Sequence, residues 1–306
     1  MLLVYLELIF MIIIWGFSFV AVDIAVEFVP PLSFALYRFL IASLTFFIID
    51  VVLFIRKKRK NFKMQKVQEP FSRSDWILLF VASITGVSLF FFSQYSAIAI
   101  IGPSLPALFV CLLAPLVITI LALFFFNEKL NTRKFLGFVL ATIGSFLLIT
   151  GGNIKNLAPT APNFLGYLFA LITPLLWGIY SIITKKITKN NSSMTIIKYI
   201  GYFGMVELLI FVIIRNEIHI FMSNLFNPIL IIWALYTGIL CYIIGYYIWQ
   251  NSQVKLKSSK VASFLYIEPF ITLFFSLLLQ RQETIVLWNI MGGFIVLGAV
   301  LIINYK

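Results

Sequence analysis

Histidine is almost absent from this chain, with His219 its single copy, and cysteine is held to two residues, Cys111 and Cys241. Both cysteines fall inside apolar runs, which excludes a disulfide framework and offers no spacing of Cys, His and Asp to hold a metal ion. Charged residues are scarce as well, at 11% of the chain, and acidic ones number 11 against 23 basic. With 62% hydrophobic residues and a mean hydropathy of +1.05, too little polar surface remains to cover a soluble domain. Nor is there a glycine-rich loop ending in Lys and Ser or Thr, so nothing cradles a nucleoside triphosphate. A membrane-embedded acyl or glycosyl transferase would need a base or a metal set at the interface. The one histidine instead stands in a loop beside Glu217, and no cofactor is expected.

What the chain does have is length in apolar runs. Ten stretches of about 18 to 24 residues can each cross a hydrocarbon core as a helix: 2–22, 34–55, 76–97, 104–126, 132–150, 164–184, 196–215, 229–249, 261–280 and 285–304. They are apolar all round, which argues against the period-two alternation of a barrel strand. The first begins at once, contains Glu7 and has no basic leader, so it reads as a helix and not as a removable signal. The net charge of +12 does not mark a nucleic-acid surface, because its distribution follows the membrane. Arg56, Lys57, Lys58, Arg59, Lys60, Lys63, Lys66 and Arg73 share one loop, and the bases near 129–134, 185–198 and 255–260 share its side. Opposite them stand only Lys155, Arg215 and Arg281. By the positive-inside bias both termini are cytoplasmic, in a multi-pass protein of the cell membrane.

The sequence also repeats itself. Trp15 and Gly16 recur as Trp177 and Gly178, and Ser33 and Tyr37 recur as Thr195 and Tyr199, at one constant offset. Pro115 and Gly144 recur as Pro269 and Gly298 at a slightly shorter offset, because the first copy carries the longer basic loop. Each copy holds five spans, so the second inserts with opposite polarity. Such inverted pairs enclose a central site and alternate in exposing it to either side. The expected fold is an all-α polytopic membrane protein of ten transmembrane helices in two inverted five-helix repeats, 1–150 and 151–306.

More specific residues follow. Tyr246, Trp249, Gln250 and Asn251, then Ala262, Leu265, Tyr266, Glu268 and Pro269, and finally Glu283, form an ordered series in the second copy. Trp15 with Gly16, Tyr37 to Phe39, Tyr95 with Ala97, Pro115, and Glu128 with Leu130 form the matching series in the first. In this order and over nearly the whole chain, they resemble the EamA-like branch of the drug/metabolite transporter superfamily. The resemblance implies ten helices with both termini inside, and transport of small metabolites, often outward. Relatives carry amino acids, drugs, sugar-linked nucleotides and other solutes. The function expected is secondary transport of an amino acid or amphipathic compound by alternating access. A lipid or lipid-linked sugar flippase of the same fold is the alternative. Partners expected are a small-molecule substrate, the bilayer, a coupling proton and a second copy in a homodimer.

Ionisable groups inside spans cost about 2.5–3.5 kcal/mol each on insertion scales, so each needs a partner or a wet cavity. Glu7, Arg38, Glu207 and Glu268 are the candidates. Thr272 and Ser276 continue the face of Glu268 at helical spacing, which aims that stripe at a cavity. Glu268 is either a proton carrier or a partner for Arg38. Arg38 is expected to pair with Asp23 or Glu27, and Glu207 to form a structural hydrogen bond. The aromatics worth choosing from so many are Trp15, Tyr95, Trp177, Tyr180, Tyr246, Trp249 and Tyr266. They fall on spans that surround the cavity in the relatives, and each joins an apolar face to a polar tip. Ser18 and Gln94 add neutral hydrogen-bonding groups. Pro115, Pro174 and Pro269 each deprive a carbonyl four residues earlier of its helical partner, marking gate helices or packing kinks. Gly137, Ala141 and Ser145 make a small-residue stripe for close helix packing.

Overall fold

The structure, a computed structural model, describes residues 2–60, 71–125, 132–153, 155, 158–188, 191–256 and 261–304, with side chains omitted at 57–60, 119, 122–123, 134–135, 138, 142, 145, 148–149, 263, 300 and 303–304. Glu128 and Leu130, the basic run from Lys57 to Lys66 and the Ser145 side chain therefore lie outside the described residues. Among those described there is no strand. The long helices are α1 (Leu2–Ala25), α2 (Pro31–Lys60), α3 (Arg73–Ile101), α4 (Ser104–Phe125), α5 (Thr132–Thr150), α6 (Phe164–Ile187), α7 (Ser193–Ile214), α8 (Pro228–Lys255), α9 (Glu268–Leu278) and α10 (Leu287–Asn304). A short helix, Ile218–Ser223, lies between α7 and α8, and a 3-10 turn, Ser263–Ile267, leads into α9.

Helix ends follow local chemistry. At the start of α3 the Ser72 hydroxyl accepts from the Asp75 amide at 3.1 Å while the Asp75 carboxylate accepts from the Ser72 amide at 3.0 Å, a reciprocal cap. Asn227 caps α8 ahead of Pro228, whose missing amide proton costs nothing in the first turn. Gly102, at φ +77°, ends α3, and its left-handed backbone suits glycine.

Six stretches are long and apolar enough to cross a membrane by length and composition: Leu2–Ala25, Pro31–Arg56, Arg73–Ile101, Phe164–Ile187, Ser193–Ile214 and Pro228–Lys255. Shorter apolar helices accompany them at Ser104–Ile118, Phe264–Leu278 and Leu287–Ala299. Large apolar side chains such as Phe47, Phe54, Phe124 and Leu278 point outward, each more than half exposed. In water that surface would aggregate; against lipid tails it is solvated. The chain is an all-helical, multi-pass membrane protein.

Packing joins the two halves. α5 lies along α10, α4 along α6, α1 along α9, and α2 along α7, while α3 meets α6 and α1 meets α8. Glycines permit the close approaches. A Cβ at Gly16 would stand 2.8 Å from Ile271 of α9, and one at Gly178 would stand 2.5 Å from Val117 of α4.

Two helices depart from α geometry with no local sequence signal for it. α3 has a π-helical turn at Ile84–Ser88 and α8 has a longer π segment at Tyr236–Tyr246. Side chains hold these wider turns. Glu207 of α7 accepts from the Ser83 hydroxyl at 2.5 Å and the Ser88 hydroxyl at 2.7 Å, which is the structural role expected of it. The Tyr246 hydroxyl donates to the Gly86 carbonyl at 3.1 Å, and that of Tyr236 to the Ile14 carbonyl at 2.6 Å. Of these, the bond to the Gly86 carbonyl serves the backbone of a π turn directly, and the others tie the irregular segments to neighbouring helices.

One gate expectation needs correction. α9 begins at Glu268, so Pro269 sits in its first turn and does not interrupt a helix. The Leu265 carbonyl, expected to be free, accepts from the Glu268 amide within the 3-10 turn. Pro115 and Pro174 do lie inside α4 and α6.

Candidate functional site

A narrow cavity of about 40 Å³ lies at the middle of the bundle, smaller than the usual range of small-molecule sites. α1 contributes Trp15, Ser18 and Phe19, and α3 contributes Phe90, Phe91 and Gln94. Val110 and Cys111 come from α4, Trp177 from α6, and Tyr246 from α8. Arg38 of α2, with Leu265 and Glu268 at the start of α9, completes the wall. Six of these thirteen residues are aromatic, and among the rest are a guanidinium, a carboxyl and the neutral polar groups of Ser18 and Gln94.

Packing fixes the aromatics. Trp15 meets Trp177 edge to face at 5.5 Å between centroids and Tyr246 at 5.8 Å. Its indole donates to the Cys241 carbonyl at 2.9 Å, inside the π segment of α8. The irregular helix therefore orients a cavity wall, since that bond locks the rotamer of Trp15. Ser18 donates to the Trp15 carbonyl at 2.6 Å.

Arg38 and Glu268 are each only 3% exposed. Arg38 donates to the Tyr95 hydroxyl at 2.8 Å, and its guanidinium carbon sits 4.0 Å from the centre of the Phe91 ring, a cation–π contact worth about 2 kcal/mol when desolvated. Its Nε has no hydrogen-bond partner, nor does Oε2 of Glu268. The Cys111 thiol is within hydrogen-bonding reach of the Glu268 carboxylate. Among the described residues no ion pair involves either Arg38 or Glu268. Two buried ionisable groups of opposite type thus share one chamber without neutralising each other, and each keeps an unused polar atom. A pair that served packing alone would be expected to close on itself.

The pairing expected for Arg38 is corrected by this geometry. Asp23 and Glu27 are taken instead by Arg281, whose Nε stands 2.6 Å from the Asp23 carboxylate. Arg38 lies deeper in the bundle, where α2 faces the cavity.

Of the candidate site residues, Trp15, Ser18, Gln94, Trp177, Tyr246 and Glu268 converge on the cavity. Tyr95 stands behind it, against Arg38 and Phe91. Tyr180 stacks on Trp177 at 5.0 Å and accepts from Gln250 at 2.8 Å. Trp249 packs 5.4 Å from Trp177 and 5.9 Å from Trp15, as support beneath the wall. Tyr266 belongs to a separate core cluster with Phe109 and Tyr167. Its neighbour Leu265 and Glu268, three residues on from Leu265, face the cavity, so the helical rotation carries Tyr266 away. Pro115, one turn from Cys111, Pro174, one turn from Trp177, and Pro269, next to Glu268, adjoin lining residues.

Phe19, Phe90, Phe91 and Val110 were not singled out in the sequence, and Cys111 and Leu265 were named there but not placed at a cavity. Phe19 is one turn from Trp15, Phe90 one turn from Gln94, and Leu265 one turn from Glu268, so helical spacing from residues already chosen was the available signal. With 33 phenylalanines in the chain, residue type alone could not select them.

This architecture is shared with known proteins. The model of the EamA-like transporter family matches residues 2–150 and again 164–305. An uncharacterized transporter of Archaeoglobus fulgidus is 24% identical over 301 residues, covering 96% of this chain and 94% of the relative. A probable amino-acid metabolite efflux pump of Salmonella typhimurium is 22% identical over 298 residues, covering 95% and 89%. A solved crystal structure superposes with a TM-score of 0.61 over 98% of this chain and 96% of its own, at 14% identity, which shows a common fold. With the family model matched along both halves, and with apolar helices packed around a polar chamber, the chain belongs to the EamA-like transporter family.

Proposed function

We propose that this chain is a secondary transporter that moves a small organic metabolite, an amino acid or an amphipathic compound, out of the cell by alternating access around the central cavity. The observation that carries this reading is the unneutralised pair of Arg38 and Glu268 in one aromatic chamber. Arg38 suits a carboxylate, Glu268 an ammonium group or a proton, and the rings of Trp15, Phe91 and Trp177 an apolar side chain. The name of the Salmonella relative supports amino-acid metabolites as the class and efflux as the direction.

In this reading ten helices form two inverted five-helix repeats, 1–150 and 151–306, with both termini in the cytoplasm. The packing supports it. α1 with α9 answers to α6 with α4, α1 with α8 answers to α6 with α3, and α5 with α10 closes on itself. Gly16 against Ile271 and Gly178 against Val117 are one contact made twice, since each glycine and each partner is the repeat counterpart of the other. Exchange between two such arrangements would turn the cavity from one side to the other.

The test is a thermal-shift screen of the purified protein with amino acids, nucleosides and amphipathic drugs, followed by counterflow in liposomes for any solute that shifts it. Arg38→Gln is expected to lower the apparent affinity for a carboxylate-bearing solute by about 10- to 100-fold, as loss of a charge-assisted contact implies. Glu268→Gln is expected to abolish the pH dependence of transport in a folded protein. Counterflow unaltered in both variants would sink the reading. Turnover of a lipid-linked sugar in place of counterflow would favour the flippase.

A further inference from the structure

The loop between α9 and α10 grips three other helices, and its grip lies above the cavity. Arg281 donates from Nε to Asp23 at 2.6 Å, in the last turn of α1, and from a terminal nitrogen to Glu27 just beyond it. Glu283 accepts from the Ser104 hydroxyl at 2.5 Å and from the Ser104 backbone amide, so a carboxylate from the loop caps the start of α4. Thr284 donates to the Ile101 carbonyl at 2.6 Å, where α3 ends. Gly102 makes the approach possible, because a Cβ there would stand 2.6 Å from the Gln282 carbonyl oxygen.

These ties surround a polar vestibule of about 520 Å³, to which Asp23, Glu27, Ile98 and Arg281 contribute. The vestibule and the central cavity are stacked on the same helices. Phe19 and Gln94 line the cavity, whereas Asp23 and Ile98, each four residues on along α1 and α3, line the vestibule. Four residues of helix rise about 6 Å, so little more than one turn divides the two chambers. α1 supplies Trp15 and Ser18 to the cavity and α9 supplies Glu268, and the two helices lie side by side. A solute passing between the chambers would move along α1 and α3, the helices that line both, and Arg281 ties the end of α1 to the loop after α9.

We propose that residues 279–286 form the latch on one face of the transporter, where the ties from Arg281 to Asp23 and Glu27 hold the central cavity shut and must break for it to open there. The proposal rests on the reading of the cavity as the solute site, and the charge rule makes this face the outer one. The pair is suited to repeated opening. The Arg281 and Asp23 side chains are 20% and 13% exposed and Glu27 is 55% exposed, so water reaches the ions and separation does not strand a bare charge in the core. Two carboxylates share one guanidinium, which makes Arg281 the single point of failure and leaves each acid with a substitute.

Cys111 provides the readout, because it lines the cavity while Cys241 does not. In full-length Cys241→Ser protein in sealed vesicles, the labelling rate of Cys111 is measured with membrane-impermeant thiosulfonates, one cationic and one anionic, added to each side separately. Arg281→Gln is expected to speed labelling about tenfold with both reagents from the latch side alone, as a shift in the closed-to-open population would. Glu27→Gln should speed it less. The reversed pair Asp23→Arg with Arg281→Asp should restore slow labelling, which a merely misfolded protein would not do. Unchanged labelling in Arg281→Gln, or acceleration on the opposite face or on both, overturns the latch. Labelling does not depend on solute affinity. A failed latch therefore leaves the cavity reading intact, and a cavity that binds no solute leaves the latch result intact.

Discussion

Single glycines set how closely these helices pack, and they differ even where the sequence repeats. Gly144 and Gly298 are counterparts, yet a Cβ at Gly144 would stand 2.8 Å from the Val296 amide while one at Gly298 would meet nothing within 4 Å. Gly144→Ala is expected to cost about 1–3 kcal/mol through overpacking at the α5–α10 contact, whereas Gly298→Ala should be neutral or slightly stabilising through helix propensity. Thermal unfolding in detergent checks both, and equal Tm values would contradict the geometry. Glu283 offers a second test. Burial raises its carboxyl above the ordinary carboxylate range, against the lowering effect of the hydrogen bond from Ser104. The folded loop thus holds that proton more tightly than the unfolded chain does, a stabilisation that is complete in acid and lost as pH rises through the raised value. Glu283→Gln, which carries no charge, should therefore melt above the parent protein near neutrality and converge with it in acid. A Tm difference that is the same at every pH would remove titration of Glu283 as the cause. At this scale the sequence singled out Arg38 and Glu268, because a charge inside an apolar run is visible. It could not say that Asp23 and Glu27 belong to Arg281, which lies more than 250 positions away along the chain.

Elements were the most legible level. Apolar runs bounded by Gly, Pro and basic clusters placed most long helices closely, since hydrophobic thickness and backbone satisfaction leave little choice inside a bilayer. However, α8 ends six residues later and α9 begins seven residues later than the runs indicated. What the runs did not reveal was helix type. The π turns of α3 and α8 depend on bonds from other helices, such as Glu207 to Ser83 and Ser88, and no local pattern encodes those. The turn at Ile84–Ser88 sets the rotation of the helix that follows, and with it the aim of Phe90, Phe91 and Gln94. Glu207→Leu, which removes the bonds to Ser83 and Ser88, should let this segment relax to regular α-helix at unchanged length and rotate those residues by about 100°. Helix content by circular dichroism should hold while any solute-induced thermal shift disappears. A retained shift would mean that the π turn does not aim the wall.

For the whole molecule, the contacts that matter run between the two halves: α1 with α9, α4 with α6, α2 with α7 and α5 with α10. If the repeats are the units of assembly, residues 1–150 and 151–306 expressed as separate chains should copurify and recover the solute response of the intact protein. Failure to associate would argue that the link between α5 and α6 is itself required. Composition, apolar run length and the repeated Trp-Gly and Pro positions by themselves determined that this is a helical membrane protein with a duplicated plan, because the bilayer punishes every other solution and each span must satisfy its backbone alone. Only the tertiary structure decided which face of each helix meets the cavity, that Arg38 and Glu268 share it without pairing, and that Arg281 clasps α1. Apart from α9, where Glu268, Thr272 and Ser276 mark the buried face, helices apolar on every side carry no stripe to show which face turns inward, so rotation about their axes is fixed by side-chain packing between segments far apart in the chain.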